Sequence, residues 1–138
     1  MAYILIIDDD EDLCHPLTAA LREAGYEVAF RLSTEEGKRA IEERTPDLII
    51  LDVMFPENAN AGFEMAREIP AMGEKYRDIP VLMLTAVNQT FPYSFSEDDI
   101  DPNWLPVTDF IEKPVVMEEL QERVADLLKS GSPGTQQS

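Results

Sequence analysis

Five side chains stand where apolar runs stop, and their types suit one chemistry. Asp8 and Asp9 follow the run "YILII" (Tyr3–Ile7), and Asp52 lies at the end of "DLIILDV". Thr85 lies at the end of "IPVLMLTA", and Lys113 sits before Pro114 after "DFIE". Crowded carboxylates repel one another, and burial disfavours their charged form. A bound divalent cation reverses that logic, and Mg²⁺ prefers one or two carboxylates with waters and phosphate oxygens. A carboxylate nucleophile, a metal ion and an ammonium are the parts phosphoryl transfer needs, because its demands are positioning and neutralisation of the phosphoryl oxygens.

For these residues to meet, the chain must bring distant segments to one edge. Short apolar runs alternate with segments of helical period. Leu13, Leu17, Ala20, Leu21 and Ala24 form one stripe of a first helix, with Pro16 expected in its first turn and Gly25 as the residue just past its end. "YEVAF" (26–30) reads as a second strand, and Ser33 to Glu36 as a capping box opening a helix to about Arg44, weakened by Gly37. A third helix is expected from Gly62 to about Met72, with Pro70 blurring its end. "VTDFI" (107–111) reads as a fifth strand, followed by Lys113-Pro114, and Leu120, Val124, Leu127 and Leu128 mark a final helix. Strands apolar throughout, alternating with helices, predict an α/β fold with a parallel sheet covered on both faces. Such sheets bind ligands outside the carboxyl ends of their strands, which is where the five residues fall.

Composition narrows the function. The 138-residue chain is 44% hydrophobic, enough for one globular domain. It carries 11 basic and 28 acidic residues, a net charge of −17, which repels nucleic-acid backbones and anionic membranes and attracts divalent cations. A single cysteine, Cys14, excludes an internal disulfide. No signal peptide and no membrane-length apolar run is evident, so a soluble cytoplasmic protein, monomeric or weakly associating, is expected. The tail "SGSPGTQQS" (130–138) reads as disordered or as a linker stump beyond a domain of residues 1–129.

Plainer readings apply elsewhere. Asp10, Glu11 and Asp12 read as helix-capping acids. Asp8, Asp10 and Asp12 begin like a calcium loop, but its glycine and glutamate positions hold Leu13 and Ala19; Asp99, Asp101 and Asn103 fail likewise at Trp104 and Phe110. His15 reads as a partly exposed helix residue rather than a phosphocarrier, and Cys14 as a small buried hydrophobe.

Taken in order, "IIDDDEDL", "PDLIILDVMFP", "IPVLMLTA" and "DFIEKPV" resemble the receiver domain of two-component response regulators over about residues 3–129. The resemblance implies a flavodoxin-like, doubly wound sheet of order 2-1-3-4-5. It implies that Asp52 accepts a phosphoryl group from a phosphohistidine on a sensor histidine kinase or histidine phosphotransfer protein. Mg²⁺, or Mn²⁺ in its place, would be held by Asp9, Asp52 and the backbone carbonyl of Met54, with Asp8 acting through a metal-bound water. Lys113 would pair with the phosphoryl oxygens, and Thr85 would donate its hydroxyl to the acyl phosphate. Phe110 would be the switch aromatic that follows Thr85. Apolar Met54 and Val87 would flank the water path and slow dephosphorylation. On this reading the chain catalyses its own phosphorylation and dephosphorylation rather than turning over a substrate. Its output runs through a downstream protein target, and any dimer is weak and phosphorylation-dependent.

Two stretches depart from the family. Asp52 to Gly62 spans ten positions, a longer loop than usual, and Thr85 to Phe110 spans 25. The second holds "VNQTFPYSFSEDDIDPNWLP", with Pro92, Pro102 and Pro106 and no sustained apolar stripe, which places the family's fourth helix in doubt. Phe91, Tyr93, Phe95 and Trp104 there would serve a dedicated partner or an exposed loop. Two alternatives follow from the same residues: a receiver-fold binding module that is never phosphorylated, and a metal-dependent phosphatase with Asp8 as nucleophile and Asp10 as acid.

Overall fold

The computed structural model describes residues 2–52, 61–86 and 109–130. Five strands, β1 (Tyr3–Ile7), β2 (Glu27–Arg31), β3 (Leu48–Asp52), β4 (Val81–Ala86) and β5 (Asp109–Lys113), form one sheet. Its order is β2-β1-β3-β4-β5 and every pairing is parallel, as the resemblance implied. The helices are α1 (Glu11–Glu23), α2 (Thr34–Glu43), α3 (Ala61–Ala71) and α4 (Met117–Ser130), with a short 3₁₀ turn at Glu74–Tyr76.

Alternation along the strands sorts the core into two layers. Ile4, Ile6, Leu48, Ile50, Leu82, Leu84 and Ile111 face α1 and α4, meeting Cys14, Leu17, Leu21, Leu120, Val124 and Leu127. Leu5, Ile7, Ile49, Leu51, Val81 and Met83 face α2 and α3, meeting Ala40, Ile41, Met65, Ala66 and Ile69. β1 and β3 are buried at every position, which is why their sequences are apolar up to Asp52 at the end of β3.

The termini of the helices follow local chemistry. Ser33 caps α2, its hydroxyl accepting from the Glu36 N–H at 3.1 Å. α1 closes with Gly25 at φ 102°, where the Gly25 N–H bonds the Arg22 carbonyl and the Tyr26 N–H the Leu21 carbonyl, a pairing that needs a left-handed residue. Pro16, however, is the sixth residue of α1 and not in its first turn. The helix starts at Glu11, directly behind the site residues. Pro16 is exposed, so the Asp12 carbonyl it leaves without a helical partner faces water. The edge strands also sit further along than their sequences suggest. β2 is 27–31, and β5 includes Glu112 and Lys113, which pair with Thr85 and Ala86. Lys113 therefore ends the strand instead of following it. The long loop before α3, the segment expected to lack the usual fourth helix and the tail beyond Ser130 lie outside the described residues.

Gly37 has a structural purpose that helix propensity hides. A Cβ there would stand 2.6 Å from Ile7 Cδ1, and Ile7 is fully buried. Gly37→Ala should gain roughly 1 kcal/mol of helix propensity and lose roughly 1–3 kcal/mol to overpacking. A net fall in denaturation midpoint is expected, and a rise would show that Ile7 moves aside without cost. Thr18, on α1, is 6% exposed, and its hydroxyl is the one buried side-chain polar atom among the described residues with no partner. Thr18→Val keeps the shape and removes the orphan donor, so it should stabilise by about 1 kcal/mol in chemical denaturation.

Candidate functional site

The same alternation that builds the α1/α4 layer delivers the site. Asp8 follows Ile4 and Ile6, Asp52 follows Leu48 and Ile50, and Lys113 follows Ile111, each on that face and each at a carboxyl end. The Lys113 ammonium donates to Asp52 Oδ1 at 3.1 Å and to Asp8 Oδ2 at 3.3 Å. Asp8 Oδ1 accepts from the Asp10 N–H at 2.9 Å, so both oxygens of Asp8 are engaged. Asp8 is completely buried and Asp52 is 6% exposed, while Asp9, one residue further on, faces solvent. Carboxylate oxygens of Asp8, Asp9 and Asp52 all lie within 4.8 Å of one another, a group that could hold a metal ion.

Burial dominates the electrostatics. It raises Asp8 above the usual carboxylate range against the pull of the Asp10 N–H and Lys113. Burial first, and the charge of Asp8 second, push Asp52 up to about 6, with Lys113 opposing. Burial would lower Lys113, but Asp52 and Asp8 outweigh it and leave the ammonium above its ordinary value. One ammonium is thus shared by two buried carboxylates, with an exposed third beside them. The cluster is short of positive charge, and hard oxygen donors at this spacing fit a small divalent cation.

Residues 4–125 match the response regulator receiver domain. The chain belongs to that family. Among its relatives, the phosphate regulon transcriptional regulatory protein PhoB of Pseudomonas aeruginosa is 34% identical over 131 residues, covering 95% of this chain and 53% of that protein. The DNA-binding dual master transcriptional regulator RpaA of Synechocystis is 36% identical over 129 residues, covering 94% and 50%. This receiver domain spans about half the length of both. Among solved structures, the chemotaxis protein CheY4 of Vibrio cholerae superposes with a TM-score of 0.77 at 28% identity, over 92% of this chain and 98% of that one.

Of the residues singled out in the receiver sequence, Asp8, Asp9, Asp52 and Lys113 come together. Thr85 is buried on β4, one position beyond the partner of Asp52, and Phe110 is partly buried against the α2/α3 layer opposite Met83. Met54 and Val87 lie outside the described residues. Asp10 is the residue before α1, but its side chain makes no capping bond; its contribution is the N–H held to Asp8. Any residue but proline supplies that N–H, so no sequence signal marks it. Cys14 is fully buried as expected, with its thiol 3.5 Å from the Asp8 carbonyl oxygen. Burial first, then the charges of Asp8, Asp10 and Glu11, push that thiol up to about 12, so it stays protonated and unreactive. His15 is exposed beside Glu11 at 3.4 Å and edge-on to Phe30, a surface arrangement.

Proposed function

We propose that this receiver domain is a phosphoacceptor in a two-component relay, with Asp52 as the nucleophile. The observation that carries the reading is the Lys113 ammonium held at 3.1 Å from Asp52 Oδ1, beside Asp8 and Asp9. The P–N bond of a phosphohistidine on a histidine kinase or phosphotransfer protein breaks as a bond from Asp52 to phosphorus forms, and the imidazole leaves as the neutral base after taking a proton. Lys113 is already at the carboxylate and neutralises charge on the incoming phosphoryl oxygens. Asp8 fixes Lys113 from the other side. Asp9 and Asp52, with Asp8, would hold Mg²⁺, which would supply the remaining positive charge. Thr85 closes on the phosphoryl group with its hydroxyl, and Phe110 follows it inward, converting a local charge into an altered surface.

The downstream target is a protein, and the domain acts in the cytoplasm. No described helix is long and apolar enough to cross a membrane. The relatives named as transcriptional regulators are about twice the length of this chain, so DNA binding is not assigned to it. The test is incubation with a small phosphodonor such as acetyl phosphate, with Mg²⁺ or with EDTA, followed by intact-mass analysis. One phosphoryl group gained with Mg²⁺, stable to acid and released by hydroxylamine, is expected. No gain under either condition would leave a binding module that keeps only the fold.

A further inference from the structure

An open sheet has two edges, and each presents unpaired backbone groups to any strand that could add to it. At the first edge, β2 uses alternate residues to bond β1. The Glu27 N–H reaches the Ala2 carbonyl, and the Asp8 N–H reaches the Arg31 carbonyl. By the parallel pattern, Val28 and Phe30 therefore direct their carbonyls outward. Both are taken by guanidinium groups. Arg22, from the last turn of α1, donates to the Val28 carbonyl at 3.0 Å, and Arg31 folds back to the Phe30 carbonyl at 2.8 Å. At β5, the last strand of the sheet among the described residues, a guanidinium also sits on a backbone carbonyl. Arg123, from α4, donates to the Phe110 carbonyl at 3.0 Å, while Asp109 Oδ1 accepts from the Phe110 N–H at 2.8 Å and pairs with Arg123 at 2.9 Å.

We propose that Arg22 and Arg31, with Arg123 at β5, close the sheet of this domain against strand addition by a second copy. A guanidinium holds an edge carbonyl with a planar, permanently charged donor. A docking strand would have to displace Arg22 and Arg31 and then bury those cations against its own backbone. These arginines are chemically placed rather than merely basic. The chain has few cations for its charge of −17, and two of them stand on the outward carbonyls of β2. The assignment does not depend on phosphorylation.

The test is the double variant Arg22→Met and Arg31→Met in the full chain, because methionine keeps the apolar stem and loses the donors. The substitutions make an already acidic chain more negative, so repulsion between copies grows and simple charge effects oppose association. Sedimentation equilibrium should nevertheless show self-association about tenfold tighter than in the parent chain, and the Val28 and Phe30 amides should exchange more slowly with hydrogen–deuterium label as concentration rises. Arg22→Lys with Arg31→Lys, which keeps the charge without the fork, should fall between. A natively folded methionine variant that associates no more than the parent would overturn the proposal, as would association that leaves both amides exchanging at the parent rate. Should the double variant lose its native circular dichroism, the single Arg22→Met variant, altered only at an exposed helix end, is read by the same two criteria.

Discussion

Asp52→Asn should reduce phosphoryl uptake from acetyl phosphate to background, with the fold intact. The substitution keeps the shape of a side chain that is 6% exposed, so the packing at the end of β3 is conserved. What it removes is the carboxylate proposed as the acceptor, since an amide oxygen is not a nucleophile toward phosphorus at neutral pH. It also removes the carboxylate oxygen to which Lys113 donates at 3.1 Å. Lys113→Ala should behave differently. The proposed nucleophile remains, but the ammonium proposed to neutralise the phosphoryl oxygens is gone, and the labelling rate should fall about 10²- to 10³-fold, the usual scale for losing one preorganised electrostatic group. Intact mass against time for the three proteins distinguishes acceptor from stabiliser. Label persisting at the parental level in the asparagine variant would place the acceptor elsewhere and end the assignment of Asp52.

The second large effect concerns stability without metal. Asp52 is pushed from 3.8 to about 6 in the folded chain, burial being the main cause. The folded state therefore holds this proton more tightly than the unfolded state does. Its stabilising effect is full below about pH 4 and is lost as pH rises to about 6, because the unfolded carboxyl has already ionised. Asp8 shifts in the same direction. In EDTA, the parent chain should lose about 2 kcal/mol from this site over that range. Lys113 is raised by the two carboxylates, so its favourable share is present below its ordinary value of 10.5 and disappears only at alkaline pH. Added Mg²⁺ should restore more stability at pH 7.5 than at pH 5, since the carboxylates must ionise to bind it. The general acidity of the chain also weakens it as pH rises, so the diagnostic quantity is the difference between proteins. Asp52→Asn should be about 2 kcal/mol more stable than the parent at pH 7 in EDTA, with the gap closing toward pH 4. Urea denaturation across pH 4 to 8 measures it. An asparagine variant less stable than the parent at pH 7 would mean that the Lys113 contact outweighs the cost of burying Asp52.

Sequence patterning located β1 and β3 well, and β4 apart from a start two residues early, because they are central and apolar on both faces. It placed β2 one residue early and ended β5 two residues short. Those are the edge strands, where one side lacks a neighbour and polar residues such as Arg31, Glu112 and Lys113 can still pair. Pro16 misled for a related reason: proline usually marks a first turn, but an exposed proline in the second turn costs a hydrogen bond that water replaces.

The residue types and their order already pointed to the candidate group of Asp8, Asp9, Asp52, Thr85 and Lys113 and carried the family resemblance, which in turn implied the sheet order, because chemistry at strand ends is written in short local segments. Tertiary structure alone decided how that group is wired. Asp8 and Asp9 are adjacent and identical in type, yet strand alternation buries one against Lys113 and leaves the other in solvent. Lys113 meets partners 105 and 61 positions earlier in the chain, and Arg22, Arg31 and Arg123 find backbone carbonyls that no periodicity reveals. Distance in space, and with it burial and charge, depends on how the strands are ordered side by side; the local pattern can name the groups but not their neighbours.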